Sequence, residues 1–298
     1  MTAVAISTVA CSSTAGSTSP KPTANAWKTV WRDDFNGAPN SRTAPENWIY
    51  DIGRNYPGAN PTWGSADEID TTTDSTENVY QDGSGHLVIK PIRDGAGNWT
   101  SGRIESRRTD FQAPAGGKLR IEASLQLPPV SGSAATGYWP SFWMLGAPFL
   151  GDFMNWPGVG EIDIVENRFG ADQVWGTLHC GTNPGGPCNE PIGFSGNKAG
   201  CPGNPCQSGF HKYTVESDRS VSPEQLRWYV DGLQYYTVDA DRVGQTAWSK
   251  ATDHGFVLIL NVAIGGPWAG KPTPATASGV PMVIDYVAVY SFGGSDVS

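Results

Sequence analysis

The order of apolar and polar residues predicts strands along nearly the whole chain. From Lys118 to Leu127, Leu119, Ile121, Ala123, Leu125 and Leu127 alternate with Lys118, Arg120, Glu122, Ser124 and Gln126, the two-residue period of a strand with one buried face. Leu226, Trp228 and Val230 alternate with Arg227, Tyr229 and Asp231. Asp231-Gly232 then supplies turn chemistry before Gln234–Val238, which predicts a hairpin. Phe256–Ile264 is an apolar run broken only by Asn261, as expected of a strand covered on both faces, and Met282–Tyr290 alternates again. Gly, Pro and Asn turns separate these runs, and no segment of ordinary helix length carries a 3.6-residue period. The pattern predicts one all-β antiparallel domain over residues 27–298. It fits either a closed barrel or a two-sheet sandwich, and a length of 298 residues favours a large β-sandwich of jelly-roll type.

Composition narrows the picture. The 12 Trp, 10 Tyr and 10 Phe give ample apolar area to bury, so the 37 Gly and 23 Pro punctuate a globular chain and not a disordered one. Twenty Lys and Arg against 29 Asp and Glu leave a net charge of −9, which repels a phosphate backbone, so nucleic acid is not expected as a partner. No run of about 18 apolar residues exists, and no transmembrane segment is expected. Residues 1–26, rich in Ser, Thr, Ala and Pro with no charge before Lys21, read as a leader remnant or flexible tether. Within it Cys11 is a candidate lipid attachment point.

The other four cysteines, Cys180, Cys188, Cys201 and Cys206, crowd into one loop rich in Gly, Pro and Asn. Zinc would want a close Cys-x2-Cys pair or histidines, so these spacings fit two disulfides in an oxidising compartment better, and the chain is expected to be secreted or extracellular. Three pairings are open, with local pairing, Cys180–Cys188 and Cys201–Cys206, favoured.

Gly160-Glu161-Ile162-Asp163-Ile164-Val165-Glu166 departs from a purely structural strand. Three carboxylates crowd an apolar segment, where each makes the next harder to ionise. Glu161 and Asp163 share a face, whereas Glu166, five residues from Glu161, points to the other unless a one-residue bulge near Ile164-Val165 restores the parity. With the bulge, the two Glu Cα atoms stand about 13 Å apart, and side chains leaning together bring the carboxyls to about 5 Å, the spacing of a retaining glycosidase. One Glu would then be nucleophile and the other acid/base, with Asp163 between them. The bland alternative is a solvated acidic face. A calcium-binding carbohydrate module is a second alternative, although it has no need of two Glu at this offset. A serine or cysteine hydrolase lacks support, since His86, His179, His211 and His254 come with no Gly-x-Ser-x-Gly.

Glu161–Glu166 resembles the E-x-D-x-x-E signature of glycoside hydrolase family 16 in the bulged form of its laminarinases; the family's licheninases have E-x-D-x-E. Other blocks agree in order. Gly137–Leu145 resembles the family's G-x-W-P-A-x-W-M-L, Val174–His179 its G-T-x-H strand, and Leu226–Gly232 its W-Y-V-D-G hairpin. Leu260–Trp268 and Ile284–Tyr290 resemble the last two strands. The likeness runs from about Trp31 to Tyr290.

The resemblance implies a jelly-roll sandwich with a concave substrate cleft, in which Glu161 is the nucleophile, Asp163 its electrostatic partner and Glu166 the acid/base. No cofactor is required for catalysis. Trp139, Trp143 and Trp268 are candidates to stack on sugar rings, with core packing the alternative for Trp143. Arg103 and Asn261 are candidate sugar-hydroxyl donors by family position, and His179 is expected near the acid/base. A structural calcium on the convex side would be held by Asp285 with the carbonyls of Asp34 and Gly85. The expected partner is a polysaccharide taken by a monomer: β-1,3-glucan cut internally, with mixed-linkage glucan or a galactan as alternatives and a non-catalytic carbohydrate-binding module as the alternative of another class. Two departures bear on substrate. The segment Ser65–Thr71 keeps Glu68 while its amide neighbours change, and the cysteine loop, which interrupts the sheet after His179, is placed to wall one end of the cleft.

Overall fold

Alternation along the sequence becomes two facing sheets and a small third one in the computed structural model, which describes residues 1–2, 26–56, 67–196 and 199–294. Cys11 and nearly all of the expected tether lie outside the described residues, as do Ser65 and Ala66. The first strands are β1 (Lys28–Asp33), β2 (Trp48–Tyr50), β3 (Asp70–Thr72), β4 (Val79–Gln81), β5 (Leu87–Ile89), β6 (Ile92–Arg93), β7 (Trp99–Ser101), β8 (Arg103–Ser106) and β9 (Gly117–Gln126). They are followed by β10 (Tyr138–Gly146), β11 (Glu161–Glu166), β12 (Trp175–His179), β13 (Phe194–Ser195), β14 (His211–Asp218), β15 (Gln225–Val230), β16 (Leu233–Asp239), β17 (Phe256–Ile264) and β18 (Met282–Gly293). One sheet has the order β16-β15-β14-β9-β18-β5-β4, with β1 also on β18. The facing sheet has the order β13-β12-β11-β10-β17-β8-β2. Both are antiparallel; the small sheet β3-β7-β6 contains a parallel pair, β3 with β7. The fold is the expected jelly-roll sandwich.

Each strand buries the face that its sequence marks. Along β9, Leu119, Ile121, Ala123 and Leu125 enter the core while Lys118, Arg120 and Glu122 stay partly exposed. The β15–β16 hairpin turns on Asp231 and Gly232, both at positive φ, 49° and 80°, as a two-residue turn matched to strand twist requires. In β17 every residue but Asn261 is buried, for two separate reasons. Leu258, Leu260 and Val262 join the core between the sheets. Val257 and Ile259 on the other face join Leu145, Trp143, Phe149, Leu150 and Trp156 in a second apolar cluster.

Two features escape the sequence pattern. Ala240–Val243 (α1) and Gln245–Thr252 (α2) are helical. The eight residues of α2 are too few to display a 3.6-residue period; the helix buries Trp248, Ala251 and Thr252, and the Trp248 indole donates to Glu224 at 2.9 Å. The cysteine loop does more than wall off the sheet, because β13 within it pairs with β12 and Ala199 bridges Val174. The disulfides are Cys180–Cys188 and Cys201–Cys206, the local pairing. Among the described residues no helix is long and apolar enough to cross a membrane.

At the end of β14, Asp218 has no side-chain exposure and meets Lys118 Nζ at 2.9 Å and Arg227 Nη1 at 2.8 Å. Burial alone would raise its pKa; donors from Ser220, Lys118 and Arg227 outweigh burial and hold it below the carboxylate range. A depressed folded-state pKa stabilises the fold above the unfolded value near 3.9, and that contribution is lost as pH falls toward the folded value. Asp218→Asn should therefore cost about 2–4 kcal/mol at pH 7 by denaturant unfolding, and the gap to wild type should close as pH drops below about 4.

Candidate active site

The expected bulge is present in β11. Against β12, Asp163 pairs with Thr177 and Glu166 with Trp175, so three steps on one strand match two on the other. Against β10, Asp163 pairs with Trp143 and Val165 with Phe142, which places the extra residue at Ile164. Glu161, Asp163 and Glu166 thereby sit opposite Leu145, Trp143 and Ser141 on one face. Ile162, Ile164 and Val165 are buried beneath. The bulge is pinned from the far sheet, where the buried Trp228 indole on β15 donates to the Asp163 carbonyl at 2.7 Å. Gly176, the β12 residue between those facing the bulge, leaves room for that indole. A Cβ there would lie 2.3 Å from Trp228 Cδ1.

Indole N–H groups reach both glutamates. Trp139 Nε1 donates to Glu166 Oε1 at 2.7 Å, and Trp156 Nε1 donates to Glu161 Oε2 at 3.2 Å. His179, paired with Glu161 across the ladder, turns Nε2 toward Asp163 Oδ2 at 3.4 Å and Glu161 Oε1 at 3.8 Å. Burial, then the charge of Asp163, push the Glu161 carboxyl up to about 8, against the pull of His179 and the Trp156 N–H. The same two causes, in the same order, hold Glu166 well above the carboxylate range. For His179, burial would lower the pKa, but the Asp163 carboxylate facing Nε2, the bond to Glu190 and the charge of Glu161 outweigh it, and the imidazole is raised well above its usual value. Glu161, Asp163 and His179 each offer an atom within 4.8 Å of the others, a spacing that suits a metal ion. Both ring nitrogens of His179 face carboxylate oxygens, Nδ1 at 2.7 Å from Glu190 and Nε2 at 3.4 Å from Asp163, so the imidazole is placed to donate at both and to supply positive charge there.

The remaining predicted residues are placed on both sides of the carboxylates. Gly265-Gly266 turns the chain, at φ 98° and 89°, into the short helix α3 (Gly266–Ala269), which lays Trp268 against Trp139 at 5.4 Å between ring centroids. Trp143 is half-buried and donates to Asn261 Oδ1 at 2.8 Å. His179 faces the expected nucleophile and Asp163, whereas the sequence reading put it near the acid/base; its register opposite Glu161 is the reason. Arg103 lies on β8 with its guanidinium buried. It bonds Asp51 at 2.8 Å and the Tyr56 hydroxyl at 3.0 Å, and lies 4.8 Å from the Trp143 ring. Asp34 and Gly85 adjoin, the Gly85 Cα pointing toward the Asp34 carbonyl.

Several residues at the site were not anticipated. Trp156 comes from the irregular segment before β11, and Trp175, which stands 5.1 Å from Trp268, comes from a block read only for its family likeness. Arg168 stacks on Trp268 at 4.5 Å. Glu190, whose Oε2 is 2.7 Å from His179 Nδ1, had one available signal: it is the only acidic residue between Cys180 and Cys206.

The chain is 31% identical over 280 residues to a β-glucanase of Rhodothermus marinus, a match spanning 89% of this chain and 85% of that protein. It is 32% identical over 279 residues to glucan endo-1,3-β-glucosidase A1 of Niallia circulans, spanning 88% of this chain and 37% of that longer one. Among solved structures, the endo-1,3-β-glucanase of Streptomyces sioyaensis superimposes with a TM-score of 0.88 at 56% identity, covering 93% of this chain and 100% of that one. No family model matches the chain.

Trp228→Phe keeps an aromatic ring but removes the N–H donor to Asp163 and part of the indole volume. Leaving that buried carbonyl unpaired should cost about 1–3 kcal/mol, with a further cost for the cavity, measured by denaturant unfolding; an unchanged midpoint would mean that the bulge does not lean on this bond.

Proposed function

The chain belongs to glycoside hydrolase family 16, and on that premise we propose that it cleaves β-1,3-glucan internally, with retention of configuration, outside the cell. The observation that carries the reading is the bulged β11, which sets Glu161 and Glu166 on one face with Asp163 between them. The endo-1,3-β-glucanase activity of the Niallia circulans and Streptomyces sioyaensis proteins, which match about nine-tenths of the chain, supports the substrate.

Glu161 attacks the anomeric carbon in its ionised form, a charge that burial and Asp163 oppose. His179 Nε2 at 3.8 Å and the Trp156 N–H at 3.2 Å favour its charge. Glu166 begins protonated, because burial and Asp163 raise its pKa, and it hands its proton to the glycosidic oxygen as that bond breaks. Its Oε1 accepts the Trp139 N–H, leaving Oε2 to carry the proton. Once Glu161 is esterified its negative charge is gone, and with it one of the influences that raised Glu166. Glu166 is then a better carboxylate and takes a proton from the water that frees the sugar. Trp139, Trp175 and Trp268 on one side and Trp143 and Trp156 on the other offer apolar faces and N–H edges to successive sugar rings.

The same reading includes a structural calcium on the opposite sheet. Asp33 pairs with Val287 and Leu87 with Ile284, so Asp285 lies at an irregularity in β18 between the end of β1 and the start of β5. Asp34 follows β1 and Gly85 precedes β5, and a Cβ on Gly85 would lie 3.9 Å from the Asp34 carbonyl oxygen, while the Asp34 carboxylate is taken by Arg32. An oxygen-only donor set of this kind suits a hard cation. Export accords with the two disulfides, Cys11 is the candidate anchor, and the catalytic domain works as a monomer.

Laminarin should give a ladder of oligosaccharides at early times, with the β-anomer formed first by proton NMR. A single small product would mean attack from chain ends, activity confined to a galactan would overturn the substrate, and a first-formed α-anomer would overturn the double displacement. Asp163→Asn removes the like charge that raises Glu166, so Glu166 should lose its proton more easily. The alkaline limb of kcat/KM should move to lower pH, by about one unit, with a loss of rate at every pH.

A further inference from the structure

The turn that follows the Cys180–Cys188 disulfide delivers one buried carboxylate to the cleft. Glu190 has no side-chain exposure, and both of its oxygens are in use. Oε1 accepts the Cys180 backbone N–H at 2.8 Å, and Oε2 lies 2.7 Å from His179 Nδ1. A reciprocal pair of backbone bonds, Gly185 N–H to the Glu190 carbonyl at 2.8 Å and Glu190 N–H to the Gly185 carbonyl at 2.6 Å, fixes this corner of the loop. The imidazole is crowded from the same loop, since a Cβ on Gly193 would lie 2.9 Å from His179 Nδ1 and Cε1. Trp156 closes on it from the other side, with 5.8 Å between ring centroids. Held at Nδ1, the ring has one direction left for Nε2, toward Asp163 and Glu161.

We propose that Glu190 is a positioning residue: by accepting the Nδ1–H of His179 it keeps the imidazole doubly protonated with Nε2–H aimed at Asp163 and Glu161, so that the turn after the disulfide is coupled to the proton chemistry of the cleft. The proposal rests on the glucanase reading only in taking Glu161 and Asp163 as the reacting pair. The charged groups facing His179 are Glu190 from the loop, Glu161 and Asp163 from β11 and, further off, Glu166. All are acidic, so the imidazolium is the local counter-charge. In Glu190→Gln the amide oxygen still accepts the Cys180 N–H, and the amide NH2 turns to Nδ1, which must then accept. The ring becomes neutral and Glu161 loses the cation that favours its charge.

The test is Glu190→Gln in the full chain, read two ways. Proton–nitrogen NMR of the imidazole needs no substrate. Wild type should show His179 doubly protonated at pH 7 and the variant singly protonated. On laminarin, the variant's kcat should fall roughly tenfold near pH 6 with KM within about threefold, and the acid limb should move to higher pH, with Glu190→Asp recovering much of both. An imidazole still doubly protonated in the variant, or superimposable pH profiles, overturns the proposal. If Glu190→Gln does not fold, Cys180→Ala/Cys188→Ala leaves the carboxylate present but loosely held; an acid limb at the wild-type position in that protein overturns it equally. A wild type inactive on laminarin but with a Glu190-dependent imidazolium would sink the substrate reading and leave this one standing.

Discussion

The hydrogen bond from the Trp228 indole to the Asp163 carbonyl crosses from one sheet to the other and ends at the irregular point of β11, the strand that carries the three carboxylates. A bulge breaks the ladder of backbone bonds, and a carbonyl so released must find another donor or be left unpaired in the interior. Trp228 is that donor, and Gly176 leaves space for its ring. The parity of β11 follows from this arrangement. Without the extra residue Glu166 would point into the core between Phe142 and the opposite sheet, where an ionisable group is untenable. The cleft therefore depends on an interaction buried beneath it.

Charge in the cleft follows a similar economy of means. Four carboxylates, Glu161, Asp163, Glu166 and Glu190, share one imidazole whose contacts reach three of them directly. Burial and mutual repulsion raise the glutamates, and His179, nearest to Glu161, opposes the rise at both. On the same face, Arg103 is consumed by Asp51 and Tyr56, and Tyr56 also donates to the buried Glu105 at 2.8 Å. Its guanidinium stiffens the floor beneath Trp143, which in turn fixes Asn261.

What could be read in the sequence was what repeats locally. The alternation in β9, β15 and β18, the Asp231-Gly232 turn and the continuous apolar run of β17 are all short-range signals, and each became the expected element. The bulge was legible for a subtler reason, that three carboxylates with apolar spacers make sense on one face only if one residue is extra. The helix α2 was not legible, being two turns long. Glu190, Trp156 and the Arg103 pairings were not legible either. The first two lie in segments without period, and Arg103 meets partners 52 and 47 residues away that only the folded chain brings near. His179 was expected near Glu166, and its place opposite Glu161 was not legible, because the register of β12 against β11 is a tertiary fact.

The central claim is that Glu161, on a strand bulged at Ile164, forms the covalent bond to sugar while Glu166 moves the proton. The most direct measurement is to trap that bond with a 2-deoxy-2-fluoro-β-laminaribiosyl fluoride, whose C2 fluorine slows both steps while the fluoride leaving group keeps the first fast enough for the ester to accumulate, and to locate the label by peptide mass mapping. The account predicts one sugar per chain, attached at Glu161. A label on Glu166, or a protein that turns over glucan yet is never labelled, would contradict it.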